Sequence, residues 1–242
     1  MYGPFIFYHK IDVPPADARI RGGYTPRKRF AKQMAFLKNQ GSIFYTVSEM
    51  IEHYRENGSF PSRGLAITFD DGWKDNYENA FPILREFGIK ATIFLISSCL
   101  GQVSIKAQSE GESAREHLSL ENVLEMSEHG NEFGSHTLNH KLLDRIPIDE
   151  VKTEVMESKR QIEELLNKPC KVFAYPGGHY NEDARRAVEE AGYIAGFSTT
   201  YGPTDQFDLH AMNRTEILRR DRFLYQFARK VKPFVSSDEP KT

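Results

Sequence analysis

The sequence of 242 residues has few cysteines, no long apolar run and no excess of charge of either sign. Two cysteines, Cys99 and Cys170, exclude a disulfide-rich scaffold and a zinc site made of cysteine alone. No apolar run approaches the roughly 20 residues of a membrane-spanning helix, and the mean hydropathy is −0.55. Because 32 Lys and Arg oppose 34 Asp and Glu, the net charge of −2 gives no electrostatic case for a nucleic-acid or anionic-membrane partner.

The first ten residues also lack the features of a secretory signal. There is no basic segment before the apolar stretch, which ends after a few residues. We therefore expect a cytoplasmic protein, or an extracytoplasmic one if a leader has been removed. The composition, with 39% hydrophobic and 27% charged residues, is that of a globular domain.

Short β-rich runs alternate with amphipathic helical segments along the chain. Predicted strands cover 5–9, 65–69, 91–96, 132–135, 171–175, 194–198 and, more weakly, 212–217. This alternation is typical of a parallel sheet with helices outside it, and about seven units suit a distorted (β/α)7 barrel, an α/β fold. We expect one domain over residues 1–235 and a polar tail over 236–242. An open doubly wound sheet is the alternative, but no glycine-rich phosphate loop follows a strand.

Two adjacent carboxylates, Asp70 and Asp71, follow the clearest buried strand in the segment Thr68-Phe-Asp-Asp-Gly72. Adjacent carboxylates repel each other unless a cation or hydrogen bonds hold them. The functional interpretation is one metal ligand and one general base. The alternative is an ordinary Asp-Asp-Gly turn at the start of a loop.

Two histidines, His136 and His140, lie four residues apart where another predicted strand ends. This spacing places both imidazoles on one face of a helical turn and is typical of zinc sites, although it also occurs by chance between two loop histidines. In a barrel, all strands end on the same face. Asp71, His136 and His140 would then form a ligand set that leaves a position for water, and Asp70 would accept the proton of that water.

The segments around Asp70 and His136 resemble the polysaccharide deacetylase superfamily, the NodB-homology domain of carbohydrate esterase family 4. The segment Phe173-Ala-Tyr-Pro-Gly-Gly178 stands where the third motif of that family belongs. The pair Tyr8-His9 resembles the first strand of the branch that acts on poly-N-acetylglucosamine. The resemblance extends from about residue 5 to residue 217.

This resemblance implies a (β/α)7 barrel that hydrolyses the N-acetyl amide of an amino-sugar glycan. It implies a divalent metal, most often Zn²⁺, with Co²⁺, Ni²⁺ or Mn²⁺ as alternatives. By position, Asp70 is the implied general base, and the implied metal ligands are Asp71, His136 and His140. A backbone N–H near Gly177 is implied to hold the oxyanion, together with the metal.

The sequence departs from the family pattern at three places. Ala174 stands where the third motif carries an arginine, and Gly177 stands where it carries an aromatic residue. No clear Leu-x-His motif supplies the general acid late in the chain. Arg214 is a candidate to replace the arginine, and the histidines competing for an acid or rim role are His9, His179 and His210.

The predicted substrate-binding residues belong to the same motifs: Trp73, Tyr175, Pro176 and Gly177. Aromatic side chains at a barrel mouth can stack on sugar rings, but for Trp73 and Tyr175 a place in the core is an equally good interpretation. Two alternatives for function stay open. The same metal site would act on a small N-acyl or sugar-intermediate substrate, or the barrel is catalytically inactive and binds glycans.

Overall fold

The computed structural model describes residues 3–104, 113–199 and 207–235, and its core is a sheet of parallel strands. In chain order the strands are β1 (Phe5–Tyr8), β2 (Ile43–Phe44), β3 (Gly64–Phe69), β4 (Ala91–Leu95), β5 (Glu132–Ser135), β6 (Val172–Ala174), β7 (Ala195–Ser198), β8 (Met212–Asn213) and β9 (Thr215–Glu216). Their order across the sheet is β8-β7-β6-β5-β4-β3-β1-β9, and β2 pairs separately with β3.

The helices pack around this sheet. They are α1 (Arg27–Asn39), α2 (Val47–Asn57), α3 (Phe81–Phe87), α4 (Leu120–Glu128), α5 (Ile148–Leu166), α6 (Glu182–Glu190) and α7 (Leu224–Val235). The sequence pattern predicts one helix over 76–87, but a π-helical turn over Asn76–Ala80 precedes α3 and divides it into two parts. None of the described helices combines the length and the apolar composition that a membrane span requires.

The barrel closes at the last predicted strand, which is divided at Arg214. On one side of this residue β8 pairs with β7, and on the other side β9 pairs with β1. One continuous segment therefore joins the two edges of the sheet. The predicted distorted barrel in a single domain is confirmed, and the open doubly wound sheet is excluded.

Alternating residues of the strands point into the barrel, as the period of two requires. Phe5, Phe94 and Phe197 pack there, with ring centroids of Phe5 and Phe197 4.9 Å apart. The next residue on the inward-facing side, just beyond the carboxyl end of a strand, is a candidate site residue in four cases. His9 follows Phe7, Asp70 follows Thr68, His136 follows Gly134 and Arg214 follows Met212. The candidate residues thus extend rows that begin in the core.

One helix start differs from the sequence pattern for a local reason. The pattern predicts a last helix from Asp221, but the helix begins at Leu224, because Asp221 is used in the preceding loop, where its Oδ2 accepts from Leu218 N and Lys230 Nζ. Thr46 and Glu49 predict a capping box at the start of a helix, and this box is present before α2. The predicted polar tail, 236–242, lies outside the described residues.

Candidate active site

Asp71, His136 and His140 come together at the carboxyl ends of β3 and β5. Each offers one ligand atom, and the three atoms lie within 4.8 Å of one another. Oδ1 of Asp71 is 3.6 Å from Nε2 of His136 and 3.4 Å from Nε2 of His140. Two imidazole nitrogens and one carboxylate oxygen form the donor set of many catalytic divalent-metal sites.

Hydrogen bonds orient two of these ligands. His136 donates from Nδ1 to the carbonyl of Ala174 over 2.7 Å, which leaves the lone pair of Nε2 facing the cluster. Trp73 donates from Nε1 to Oδ2 of Asp71 over 2.8 Å, which leaves Oδ1 facing the two Nε2 atoms of the cluster. Burial lowers the pKa of His136 to about 4, so this imidazole is neutral near pH 7, as a metal ligand must be. The donor set therefore fits a divalent metal.

The backbone around the ligands is held in an uncommon conformation. Asp71, Thr137 and His140 have φ values of 74°, 67° and 57°, in the left-handed region that non-glycine residues rarely adopt. The histidine loop is fixed by Glu154 of α5, whose two carboxylate oxygens accept from Asn139 N (2.7 Å) and Asn139 Nδ2 (2.8 Å). The strain is thus held by bonds to a neighbouring helix.

The paired charges of residues 150–164 predict a solvated helix face, and this interpretation is wrong for Glu154. Glu154 is 1% exposed. Its neighbours Val151 and Val155 are buried on the inner face of α5. A carboxylate between apolar residues at helical spacing was the signal that could have identified it.

Asp70 lies beside the ligand cluster and is paired with Arg214. Nη1 and Nη2 of the arginine donate to Oδ1 and Oδ2 of Asp70, each over 2.7 Å. Both side chains are almost completely buried. Burial alone would raise the pKa of Asp70, but the charge and hydrogen bonds of Arg214 hold it below its usual range. Asp70 is therefore ionised and oriented.

Arg214 is itself fixed by the barrel interior. Its guanidinium carbon lies 4.4 Å from the ring centroid of Phe7 and 5.2 Å from that of Phe94. Nη1 also donates to Thr68 Oγ1 over 3.1 Å. Cation–π contacts of this kind stabilise a desolvated guanidinium. Arg214, at the junction of β8 and β9, is thus held in position against Asp70.

His9 lies in the same cavity, directly after β1. Its Nδ1 is buried and, within the described residues, has no hydrogen-bond partner. Its charge when protonated would lower the pKa of both Asp70 and Asp71, which reflects its closeness to the two carboxylates. Asn76 Nδ2 donates to the carbonyl of His9 over 2.8 Å and fixes its backbone.

The structure does not bring His210 to this cavity. His210 directly precedes Ala211 and β8, at the amino end of that strand, and its Nε2 donates to the carbonyl of Tyr193 over 2.8 Å. His179 bonds Asp144 at the exposed surface. The candidate acid role of His210 therefore has no support in its position, whereas His9 lines the cavity.

The predicted substrate-binding residues divide into two groups. Tyr175 is fully buried, and its hydroxyl donates to the carbonyl of His210 over 2.8 Å, so it is a core aromatic rather than a sugar platform. Pro176 is buried and does not line the cavity. Trp73 and Gly177 do line it, and Gly177 adopts φ 60°.

The cavity has a volume of about 410 Å³, within the range of small-ligand sites. Several lining residues were not identified from the sequence, among them His117 and Lys10. The ring of His117 stacks on Trp73 with centroids 4.3 Å apart, and its Nδ1 donates to the carbonyl of Asp71 over 3.0 Å. Lys10 Nζ lies 4.5 Å from the Trp73 ring centroid. Neither residue belongs to a local motif that could have revealed it.

The nearly closed barrel holds two aspartates and two histidines at the carboxyl ends of its strands, which is where the active sites of β/α-barrel enzymes lie. Residues 57–196 match the family model for polysaccharide deacetylase. The chain belongs to the polysaccharide deacetylase family, and the resemblance predicted from the motifs is confirmed.

Three relatives illustrate the similarity. The chain is 29% identical over 215 residues to the putative polysaccharide deacetylase YxkH of Bacillus subtilis, which covers 88% of the chain and 71% of that protein. It is 30% identical over 192 residues to the poly-β-1,6-N-acetyl-D-glucosamine N-deacetylase of Staphylococcus aureus, covering 76% of the chain and 63% of that enzyme. The Streptococcus pyogenes deacetylase PplD, solved with acetate, matches with a TM-score of 0.77 and 29% identity over 89% of the chain and 92% of PplD.

Proposed function

We propose that the protein is a divalent-metal-dependent deacetylase that removes N-acetyl groups from an amino-sugar glycan. The observation that carries the proposal is the arrangement of an ionised, arginine-paired Asp70 beside the Asp71, His136 and His140 cluster in one cavity. The family and the names of the relatives support deacetylation of glycans. Zn²⁺ is the first candidate because the donors are two imidazoles and one carboxylate.

Asp70 is the proposed general base. Its lowered pKa keeps it ionised, and Arg214 holds both oxygens in one plane, so that one of them can accept the proton of an attacking water. When bound, the metal would lower the pKa of that water and polarise the acetyl carbonyl. A base held by two hydrogen bonds needs little reorganisation during proton transfer.

His9 is the proposed general acid, which gives a proton to the leaving amine of the sugar. It is the competing histidine that lines the cavity near both carboxylates, and its Nδ1 has no partner among the described residues. The chain segment at Gly177, where the third motif crosses the cavity wall, is proposed to offer a backbone N–H to the oxyanion. Trp73 is proposed to contact the sugar in addition to orienting Asp71.

The test measures bound metal and acetate release together. The chelated protein is reloaded with Zn²⁺, Co²⁺, Ni²⁺ or Mn²⁺ and assayed on N-acetylglucosamine and on its pentamer. We expect metal-dependent release that is lost in Asp70→Asn and His136→Ala, and retained in the surface controls Asp149→Asn and His129→Ala. If the protein binds stoichiometric metal but releases acetate from no acetylated sugar, the proposal is overturned. If it releases acetate from the monomer alone, the substrate is a small acetylated sugar rather than a polymer.

A further inference from the structure

Four exposed arginines lie beside the mouth of the cavity, in the loops that follow β1 and β9. They line one cleft, whose remaining walls are Gly22 and Gln226, and we refer to them as the arginine ridge: Arg21, Arg219, Arg220 and Arg222. Gly22 also lines the catalytic cavity, as do its neighbours Ile20 and Leu218. The ridge is therefore continuous with the proposed active site.

The positive charge of the ridge is not neutralised within the described residues 3–104, 113–199 and 207–235. No carboxylate there forms an ion pair with any of the four arginines, although 19 pairs of a lysine or arginine with a carboxylate occur elsewhere in the same residues. Asp221, the one carboxylate among residues 219–222, is turned inward, where it accepts from Leu218 N and Lys230 Nζ. In a chain of net charge −2, this concentration of cations on one edge is a local segregation of charge.

The loops that carry the ridge are fixed in place. Arg219 N donates to the carbonyl of Gly22 over 2.7 Å, which ties the loop after β9 to the loop after β1. Arg29 Nη1 donates to the carbonyl of Arg219 over 3.1 Å. Asp221 N donates to the carbonyl of Leu218 over 2.9 Å, which closes the turn between them. Because the backbone that carries the arginines is already held, only their side chains have to be ordered when an oxyanion binds.

We propose that the arginine ridge binds an anionic substituent, a carboxylate or a phosphate, on the glycan chain whose acetylated sugar occupies the cavity. The proposal rests on the proposed function and narrows its substrate class to anionic acetylated glycans. Guanidinium groups pair bidentately with both oxyanions. Because Gly22 borders both spaces, one chain can reach the catalytic cluster and the ridge at once.

An anionic membrane surface is the competing partner, because exposed Phe223 and Tyr225 stand next to the ridge with ring centroids 5.6 Å apart. The cleft favours the glycan, since it shares Gly22 with the catalytic cavity and its other walls are the four arginines and Gln226. The experiment therefore includes both partners. Vesicles of phosphatidylglycerol, with phosphatidylcholine as reference, report the membrane alternative.

The test compares three tetrasaccharides as substrates: N-acetylglucosamine alone, the same sugar alternating with glucuronic acid, and N-acetylglucosamine with a terminal phosphate ester. For each, kcat/KM is measured in the wild type and in the triple variant R219Q/R220Q/R222Q. We expect the anionic-to-neutral ratio to fall about tenfold in the variant, mainly through KM, and to fall in the wild type as salt is raised. The two anionic substrates distinguish carboxylate from phosphate recognition.

The control variant K152Q/R160Q/K168Q removes two positive charges from α5 and one from the loop that follows it. Its anionic-to-neutral ratio of kcat/KM should equal that of the wild type. An unchanged ratio in the ridge variant overturns the proposal, as does a loss of phosphatidylglycerol binding with the ratio unaltered. If no tetrasaccharide releases acetate, the proposed function fails, and calorimetry of the anionic tetrasaccharides decides the ridge separately. Weaker binding by the ridge variant than by the control supports it, and equal binding overturns it.

Discussion

Arg214 and Asp70, separated by 144 residues in the chain, form two parallel hydrogen bonds of 2.7 Å inside the barrel. Arg214 lies between β8 and β9, where the last strand changes its pairing partner, and Asp70 directly follows β3. The pair explains how a chain with Ala174 in its third motif can still orient the proposed base. It also shows that the residue closing the barrel and the residue holding the base are the same one.

Replacing Arg214 by Met should affect stability and pH dependence together. The change leaves Asp70 buried without its partner, and we expect the free energy of unfolding to fall by about 3–5 kcal/mol. Because Arg214 lowers the pKa of Asp70 and burial raises it, the acidic limb of kcat/KM should move to higher pH. Urea unfolding and a pH–rate profile measure the two effects.

Two further variants sharpen this prediction. Arg214→Lys keeps the charge but not the fork, so its acidic limb should lie between those of the wild type and Arg214→Met. Arg160→Met, which removes the exposed ion pairs with Glu157 and Glu164 on α5, should leave the free energy of unfolding nearly unchanged. A pH profile that is the same in all four proteins would contradict the assigned role of Arg214.

Replacing Trp73 by Phe should weaken metal binding without removing a ligand. The variant keeps an aromatic ring beside His117 but loses the Nε1–H donor to Oδ2 of Asp71. Loss of a hydrogen bond to a ligand typically costs about 10–100-fold in metal affinity, and we expect a loss in that range by competition titration with a chromophoric chelator. Tyr77→Phe removes a donor to Glu125 away from the cavity and should leave the affinity unchanged.

Much of the fold follows from local patterns in the sequence. The buried run 65–69 and the box of Thr46 and Glu49 determine a strand and a helix start through neighbouring residues alone. Asp70 and His136 could also be identified from the sequence, because all strands of a barrel end on one face and both residues follow a strand. The topology of the barrel was therefore sufficient to predict that these residues lie close together.

The rest depends on contacts between distant segments. Whether Arg214 or some other residue would replace the arginine absent at Ala174 was undecided in the sequence, since nothing local shows that β8 and β9 pair with opposite edges of the sheet. Likewise, Glu154 resembles its exposed neighbours in α5 until the histidine loop packs against it. His210 stayed one of three competing histidines in the sequence, although its position before the predicted strand 212–217 places it at the amino end, away from the predicted site.

Two histidine substitutions should have opposite consequences. His9→Ala removes the proposed acid from the cavity and should reduce kcat by about 10²–10⁴-fold with little change in thermal stability. His210→Ala removes a buried bond to the Tyr193 carbonyl, so it should lower the free energy of unfolding by about 1–3 kcal/mol and leave kcat near that of the wild type. Steady-state kinetics and thermal melts on both variants check this, and a large kcat loss in His210→Ala alone would reverse the assignment.

The metal-free protein should lose stability as the pH falls from about 6.5 to about 4 because of His136. Burial lowers the pKa of this imidazole to about 4, whereas an unfolded chain titrates it near 6.5. Between these values the unfolded state binds more protons than the folded state, so the free energy of unfolding rises with pH. The contribution is complete above pH 6.5 and amounts to about 3 kcal/mol.

His136→Gln isolates this effect, because other buried groups such as Glu132 and Asp75, whose pKa values burial raises, are present in both proteins. Urea unfolding of chelated protein at intervals from pH 4 to pH 7.5 should show a steeper dependence in the wild type than in His136→Gln, while the exposed control His129→Gln follows the wild type. Added Zn²⁺ should raise wild-type stability, since a ligand that binds only the folded state shifts the equilibrium towards it. Equal slopes in the wild type and His136→Gln would show that His136 is not the buried, neutral ligand that the geometry indicates.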